Sequence, residues 1–176
     1  IMSSDWSSDV CSSDLDGNKA LYVCRRTEGA QVWVPRVWKS VTVAAFPGRE
    51  TDDILSRLSR LFPNINFVGA AHVLEVILLD YNPVLHAGPM ICNAARVESA
   101  SLDFKLFAEE NITPAVVSVV ASLDHERLQL CKAVGVDAIP FDEECHRLGL
   151  VPEGTPLAEC LRIELLTQLQ GPFSLR

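Results

Sequence analysis

The sequence contains none of the motifs that hold a nucleotide or a metal ion by a known device. Its nine glycines nowhere form a G-x-G-x-x-G turn or a P-loop, which are the backbone cradles for pyrophosphate and triphosphate groups. Its six cysteines include no C-x-x-C pair and no spacing typical of zinc ligands. We therefore expect no metal site, and no cofactor fingerprint can be recognised in the chain.

Positive charge and long apolar runs are also scarce. Fifteen Lys and Arg residues face 23 Asp and Glu residues, which gives a formal net charge of −8. Nucleic acids and anionic membranes attract clustered basic residues, so neither is an expected partner. The apolar runs are shorter than the ~20 residues that span a bilayer, and no secretory pattern follows Met2. The composition predicts a soluble, cytoplasmic protein.

Residues 1–15 differ in composition from the rest of the chain. The segment 5–15, DWSSDVCSSDL, resembles the translation of a common short-read sequencing adapter and has no apolar periodicity. We interpret residues 1–15 as a sequencing scar, with a natural disordered tail as the alternative. In the first case Trp6 and Cys11 have no role, and the natural sequence begins near Asp16.

Residues 16–68 have the pattern of strands followed by a helix. Strands are predicted at 20–24, 31–34 and 41–46. Their continuous hydrophobicity is typical of strands that are covered on both faces. Residues 51–62 have the spacing of an amphipathic helix, which Thr51 is expected to cap and Pro63 to end. This part of the chain is predicted to be the end of an α/β layer.

From residue 69 onward the pattern changes to successive helices, and we place a domain boundary near Gly69. Helices are predicted at 73–81, from 83 onward, at 114–120, at 124–134 after an interruption near Ser122, at 142–148 and at 156–169. The second part, residues 69–176, is therefore predicted to be all-α.

The stretch 82–98, NPVLHAGPMICNAARVE, places a histidine among residues that fix its position. Asn82 followed by Pro83 is a helix-start signal, with Asn82 as the cap. His86 and Asn93 are seven residues apart, so they lie nearly in line on one helix face. Between them, Pro89 is expected to bend or open the helix near His86 and to leave a free main-chain acceptor.

His86 has two interpretations at this point. Imidazole titrates near pH ~6.5, so a modest shift of its pKa lets it give or take a proton at neutral pH. A lone histidine on an apolar helix is, however, more often a hydrogen-bonded structural residue. Cys145 beside His146 is the nearest approach to a reactive pair, but adjacent helical residues point in different directions, and we expect an inert thiol.

Four phrases occur in order along the chain: RRTEGAQVWV, VAAFPGRETDDILSRLSRLFPN, HVLEVILLDYNPVLHAGPMICNAARVE and LFAEENITPAVVSVVASLDHERLQLCKAVGV. With these phrases, the chain resembles the octopine/nopaline (opine) dehydrogenase family over residues 19–136. The resemblance implies the end of a Rossmann domain for NAD or NADP at 16–68. It also implies a helical substrate domain at 69–176, similar to the C-terminal domain of 6-phosphogluconate dehydrogenase.

The resemblance also implies an activity. Such enzymes are oxidoreductases that condense an amino acid with a 2-oxo acid and reduce the imine with hydride from the nicotinamide. His86 matches the family's catalytic His, the proton donor and acceptor at the substrate carbonyl or imine. Asn82 and Asn93 match flanking polar positions, for which we expect substrate-binding or orienting roles.

A second phrase of the family is D-x-E-R, which Asp124, Glu126 and Arg127 match. We interpret it as a helix-start cap with a surface ion pair. Ala87 follows His86 where the family has Pro. The Asp that the family pairs with its His lies in a later E-D-[VI]-P-like phrase, and the final GPFSLR resembles the lead-in to that phrase.

Since the Asp partner and the glycine-rich unit are both missing, we expect an inactive internal fragment of an opine dehydrogenase. The alternatives are a related two-domain hydroxy-acid dehydrogenase and a non-catalytic helical module for binding or dimerisation. The identity of the amino acid and the oxo acid, the choice between NAD and NADP, and the oligomeric state, including a homodimer, stay open.

Overall fold

The computed structural model describes residues 14–26, 30–99 and 104–163. The strands are β1 (Asp14–Gly17), β2 (Tyr22–Arg26), β3 (Val32–Val37), β4 (Ser40–Phe46) and β5 (Asn66–Gly69). The helices are α1 (Thr51–Leu61), α2 (Val73–Leu78), α3 (Asn82–Cys92), α4 (Ala94–Ser99), α5 (Pro114–Val134), α6 (Phe141–Arg147) and α7 (Leu157–Cys160). The predicted fold class, an α/β part followed by a helical part, is confirmed.

These residues form two compact units, and the first contains residues 14–21 and 38–77. Its three strands are ordered β1-β4-β5, with β1 antiparallel and β5 parallel to β4. The parallel pair runs in register from Ser40 opposite Asn66 to Val43 opposite Gly69. Because parallel neighbours need a crossover connection, α1 lies between them in the chain, and β4-α1-β5 is a βαβ unit.

Strand β4 is the centre of the first unit and is covered on both faces. Val41 and Val43 point to one face and pack with Ile65, and Ala44 points to the other and packs with Ala70. For this strand, the prediction of two covered faces from continuous hydrophobicity is confirmed. The parallel partner β5 was missed, because it has only four residues, of which two carry apolar side chains, and it follows closely on the turn at Pro63 and Asn64.

Thr51 begins α1 but does not cap it, so that prediction is wrong. Glu50 occupies the cap position after a 3-10 turn at Gly48–Glu50. The Thr51 hydroxyl is buried instead and accepts a hydrogen bond from the Ala45 main-chain N–H at 3.1 Å. A side chain that bonds to a neighbouring strand is unavailable to the first turn of its own helix.

The second unit contains residues 22–26, 30–37, 78–99 and 104–163. Its strands β2 and β3 form a separate antiparallel hairpin. Val32 and Trp33, which are consecutive and therefore point to opposite faces, are 58% and 41% exposed. The prediction that these strands are covered on both faces is wrong, because apolar composition alone does not supply the layers that would cover a hairpin.

Helices α3 and α5 form the centre of the second unit. A β-carbon added to Gly88 on α3 would lie 3.1 Å from Val120 Cγ2 and 3.4 Å from Val119 Cγ1 on α5. A β-carbon here would press on both valines, so glycine suits this close approach of the two helices. The core of the unit consists of Val84, Leu85, Val97, Phe104, Leu106, Phe107, Ile112, Val116, Val120, Phe141, Cys145, Cys160 and Leu161.

Helix α5 runs for 21 residues without interruption. The Thr113 hydroxyl caps it by accepting from the Val116 N–H at 3.4 Å, and Gly135, with φ of 75°, ends it. The predicted interruption near Ser122 is wrong, because its hydroxyl donates to the Ser118 carbonyl within the helix. None of the described helices, α5 included, is both long and apolar enough to cross a membrane.

Other element boundaries differ from prediction by a few residues. Helix α2 ends at Leu78 rather than at residue 81, and α4 was not predicted. Helix α6 matches the prediction closely, whereas α7 has four residues and the predicted continuation beyond residue 163 lies outside the described residues. Asp14 and Leu15, at the end of the proposed scar, lie in β1, and residues 1–13 are outside the description.

Candidate functional site

The candidate site is built on the first two turns of α3. Asn82 was predicted to cap this helix, but Tyr81 is the cap residue and the helix begins at Asn82. The carboxylate of Asp80 accepts from the Asn82 N–H at 2.9 Å and so satisfies one of the free amides of the first turn. The start of the helix was therefore predicted correctly within one residue. The prediction that the Asn82 side chain caps it is wrong, since the carboxylate at this end belongs to Asp80.

His86 is half-buried and is fixed by the backbone of its own helix. Its Nδ1 lies 3.1 Å from the main-chain carbonyl oxygen of Asn82. Because a carbonyl oxygen can only accept, we assign a proton to Nδ1. Nε2 is then the ring atom that can give or take a proton. Asn82, whose side chain is exposed, thus orients His86 through its main chain.

Phe107 packs against the imidazole of His86. The two ring centroids are 5.5 Å apart, with the planes at 78°, in an edge-to-face arrangement. Phe107 is 3% exposed and belongs to the segment between α4 and α5. The aromatic ring keeps water from one side of the imidazole, and no spacing in the sequence predicts this contact.

Asn93 lies at the end of α3 and is buried. Its side-chain amide donates to the Pro89 carbonyl at 2.9 Å and to the Asn111 carbonyl at 3.1 Å. Helix α3 continues through Pro89 to Cys92, and the Pro89 carbonyl also accepts from the Asn93 main-chain N–H at 3.1 Å. Asn93 therefore joins the end of α3 to the segment that carries Phe107.

The D-x-E-R phrase contains a buried ion pair, so its interpretation as a helix cap and surface pair is wrong. Asp124 and Arg127 are each 6% exposed, and Asp124 Oδ1 lies 2.8 Å from Arg127 Nε. The second carboxylate oxygen accepts from the Phe141 N–H at 2.8 Å. Glu126, between them, is exposed. Both charges are satisfied inside the second unit, an arrangement that local sequence pattern cannot reveal.

Tyr81 packs beneath Arg127. The guanidinium carbon is 4.4 Å from the ring centroid, and the Tyr81 hydroxyl donates to the Ile139 carbonyl at 3.2 Å. Burial, followed by the nearby Glu144 carboxylate, raises the pKa of the Tyr81 hydroxyl above its ordinary value. Tyr81 is therefore a neutral, hydrogen-bonded residue at the start of α3.

Cys145 and His146 do not form a reactive pair. Cys145 is fully buried, and burial followed by the neighbouring Cys160 thiol raises its pKa. His146 Nε2 lies 3.2 Å from the Thr155 carbonyl oxygen instead. The expected inert thiol agrees with this environment. Within the described ranges, no three His, Cys, Asp or Glu side chains come together in a group that could hold a metal ion.

The βαβ unit does not have the features that hold a dinucleotide. The turn from β4 to α1 reads Pro47, Gly48, Arg49, Glu50, without the glycine pattern of a pyrophosphate cradle. Asp52 and Asp53 in the first turn of α1 would repel a phosphate at that helix end. The residues present therefore do not fit the phosphates of NAD or NADP at this turn.

The helical part of the chain matches a known family. Residues 69–148 match the model of the NAD/NADP octopine/nopaline dehydrogenase alpha-helical domain. This part of the chain is therefore similar to the opine dehydrogenases. The predicted resemblance is thereby confirmed, and the match includes α3 with His86 and α5 with the buried ion pair.

Two curated relatives agree with the family match. An opine dehydrogenase of Arthrobacter sp. (strain 1C) is 32% identical over 113 residues, which cover 64% of this chain and 30% of the relative. A vitopine synthase of Allorhizobium ampelinum is 27% identical over 124 residues, which cover 70% of this chain and 33% of the relative. The chain thus spans about a third of the length of these opine dehydrogenase relatives.

Solved structures of octopine dehydrogenase have the same fold. One, in complex with NADH and L-arginine, aligns with a TM-score of 0.66 at 16% identity and covers 89% of this chain and 42% of that one. Another, with NADH and agmatine, aligns with a TM-score of 0.64 at 16% identity and covers 85% and 40%. At this identity the similarity shows that this chain has the fold of those structures, and no more.

Proposed function

We propose that this chain is part of an NAD(P)-dependent opine dehydrogenase, which condenses an amino acid with a 2-oxo acid and reduces the resulting imine. The observation that carries the proposal is the fixed imidazole of His86, with Nδ1 directed to the Asn82 carbonyl and Nε2 left to exchange a proton. The family match of the surrounding helices supports it.

His86 has the chemistry that this reaction needs. When a hydride reaches the carbon of an imine or carbonyl, negative charge develops on the neighbouring nitrogen or oxygen. A protonated imidazole can neutralise that charge as it forms, and in the reverse direction the neutral ring can remove the proton. Phe107 and the Asn82 carbonyl hold the ring so that the same nitrogen serves both directions.

Two other residues have supporting places in the proposal. Asn82 is an orienting residue through its main-chain carbonyl. Asn93 orients the site indirectly, since its amide fastens the Phe107 segment to the end of α3. Hydride transfer itself requires the nicotinamide cofactor, NAD or NADP, for which the β4 to α1 turn has no phosphate site, so residues 1–176 alone are expected to catalyse no turnover.

The substrate class can be tested on the chain itself. We would label the four histidines with ¹⁵N and record the ring nitrogens while adding L-arginine and pyruvate, separately and together. The proposal expects the His86 resonances to move and those of His72 to stay. Movement of every histidine alike, or of none at saturating substrate, would contradict the assignment of His86 to a substrate site.

The reaction is tested in the complete protein produced from the source gene. We expect NADH or NADPH oxidation that requires both an amino acid and a 2-oxo acid. His86→Ala should lower turnover on the order of 10²-fold or more. His125→Ala is the matched control, because His125 is exposed on α5 and contacts Gln129. Reduction of an oxo acid without an amine would favour a hydroxy-acid dehydrogenase instead.

A further inference from the structure

Arg127 contacts three separate parts of the second unit. Nη1 donates to the Leu78 carbonyl at 3.0 Å, and Nη2 donates to the Ile139 carbonyl at 2.7 Å. Its Nε is held by Asp124, and its guanidinium lies over the ring of Tyr81. One buried side chain therefore links α5 to the segment before α3 and to the segment before α6.

The segment before α3 is the part that bears on His86. Leu78 and Tyr81, both touched by Arg127, stand within four residues of the start of α3. The Tyr81 carbonyl accepts from the Leu85 N–H at 2.9 Å, and the next carbonyl, that of Asn82, contacts Nδ1 of His86 at 3.1 Å. The direction of the imidazole thus depends on the backbone that Arg127 holds.

The guanidinium geometry suits this task. Its planar fork presents N–H groups in fixed directions, so it can satisfy two carbonyls and one carboxylate at the same time. A lysine ammonium has the same charge but is a point donor on a flexible stem. Because the Asp124 carboxylate also accepts from the Phe141 N–H, the position of the fork is itself fixed.

We propose that Arg127, held by Asp124, is a positioning residue for His86, acting through residues 78–82 to fix the direction of the imidazole. This inference rests on the proposed function of His86. A merely structural role would lower the free energy of unfolding when Arg127 is replaced, but would leave the protonated ring nitrogen of the folded protein unchanged. The two roles are therefore distinguished by the tautomer of His86.

The first experiment uses ¹⁵N-histidine spectra of the chain with Arg127→Lys. In the unchanged protein we expect the proton on Nδ1 of His86, and on Nε2 of His72, whose Nδ1 accepts from the Glu75 N–H at 3.2 Å. In the variant we expect the two ring nitrogens of His86 to approach the averaged values of a mobile imidazole, with His72 unchanged. Folded Arg127→Lys with unaltered His86 shifts would overturn the proposal.

Two further variants complete this experiment. Arg57→Lys is the matched control, since Arg57 forms an exposed pair with Asp53 at 2.6 Å on α1, and it should leave His86 unaffected. If Arg127→Lys does not fold, Tyr81→Leu removes the ring beneath the guanidinium and leaves the ion pair in place. It should move the His86 shifts in the same direction, and the absence of any movement would overturn the proposal.

The second experiment measures kinetics in the complete protein. Arg127→Lys should lower kcat on the order of 10- to 100-fold with little change in KM, because misplacement of a catalytic group affects the transition state. A normal kcat despite altered His86 shifts would overturn the positioning role. If His86→Ala keeps full activity, the proposed function fails, whereas the tautomer experiment still reports whether Arg127 directs the ring.

Discussion

The side-chain amide of Asn93 donates to the main-chain carbonyl of Asn111 at 3.1 Å, and the two residues lie 18 positions apart in the sequence. This hydrogen bond connects the end of α3 with the turn that leads to α5. Asn111 is itself buried, and its amide donates to the Lys105 carbonyl. The Phe107 segment therefore lies between two asparagine anchors, and its contact with His86 depends on both.

Replacing Asn93 with Ala should destabilise the protein because it leaves the Asn111 carbonyl without its buried donor. Each buried polar group left unpaired costs about 1–3 kcal/mol, so the free energy of unfolding should fall by about that amount. Urea unfolding measures it. Asn64→Ala, at an exposed position, is the control and should change stability by less than about 0.5 kcal/mol. Equal effects of the two substitutions would contradict the anchoring role.

Gly88→Ala should be destabilising in the natural chain and stabilising after Val120→Ala. The added methyl group would lie 3.1 Å from Val120 Cγ2, and such overpacking typically costs about 1–3 kcal/mol. After Val120→Ala the added methyl group no longer clashes. The substitution should then stabilise the helix by up to about 1 kcal/mol, because Ala has a higher helix propensity than Gly. A double-mutant cycle by thermal or urea unfolding tests this, and additive effects would show that the contact is not tight.

Thr51→Val should destabilise the first unit, and Thr51→Ser should not. Valine has the shape of threonine but cannot accept from the Ala45 N–H, which would be left unpaired in the interior at a cost of about 1–3 kcal/mol. Serine keeps the hydroxyl and loses one methyl group, at a cost of about 1 kcal/mol. Hydrogen exchange at the Ala45 amide should accelerate in the valine variant. Unchanged exchange there would contradict the observed bond.

The buried thiols should make the protein less stable in alkali. Burial raises the pKa of Cys131, Cys145 and Cys160 above the ordinary value of 9.0. The unfolded chain therefore loses these protons first as the pH rises. The stability they contribute is complete below pH 9 and falls above it by up to about 1.4 kcal/mol per pH unit for each thiol.

Unfolding in urea at pH 7 to 10.5 measures the free energy of unfolding as a function of pH. Cys145→Ala should make that free energy fall less steeply above pH 9. Cys24→Ser is the control, because Cys24 is exposed in β2.

Thiol labelling tests the same burial. In the native protein a thiol reagent should label Cys24 and Cys92 quickly, and the three buried thiols only after denaturation. Rapid labelling of Cys145 in the folded state would contradict both expectations.

Much of the architecture could be predicted from local pattern. The buried strand β4, the start and end of α5 and the start of α3 each follow from signals within a few residues, such as Thr113 before Pro114 and Gly135 after Val134. The position of His86 one turn into its helix follows in the same way. Such features are fixed by backbone capping and side-chain periodicity, which depend on neighbours in the sequence.

Other features depended on contacts with a second strand or segment, which the local pattern does not show. Thr51 looks like a cap but bonds to β4, and Asp124 looks like a second helix start but bonds to Arg127 and Phe141. In both cases the local signal was real, and a tertiary partner competed successfully for the same side chain. Val32 and Trp33 are likewise exposed although their sequence is apolar, because burial requires another element to pack against the hairpin.

Local pattern was enough to predict the helix that carries His86, the resemblance of that helix to opine dehydrogenases and the proton chemistry open to an imidazole. The folded structure shows which ring nitrogen is held, which aromatic residue packs against the ring, and that Arg127 is buried rather than exposed. Helix signals act over one or two turns, whereas the two carbonyls that Arg127 satisfies lie 12 and 49 residues away in the sequence.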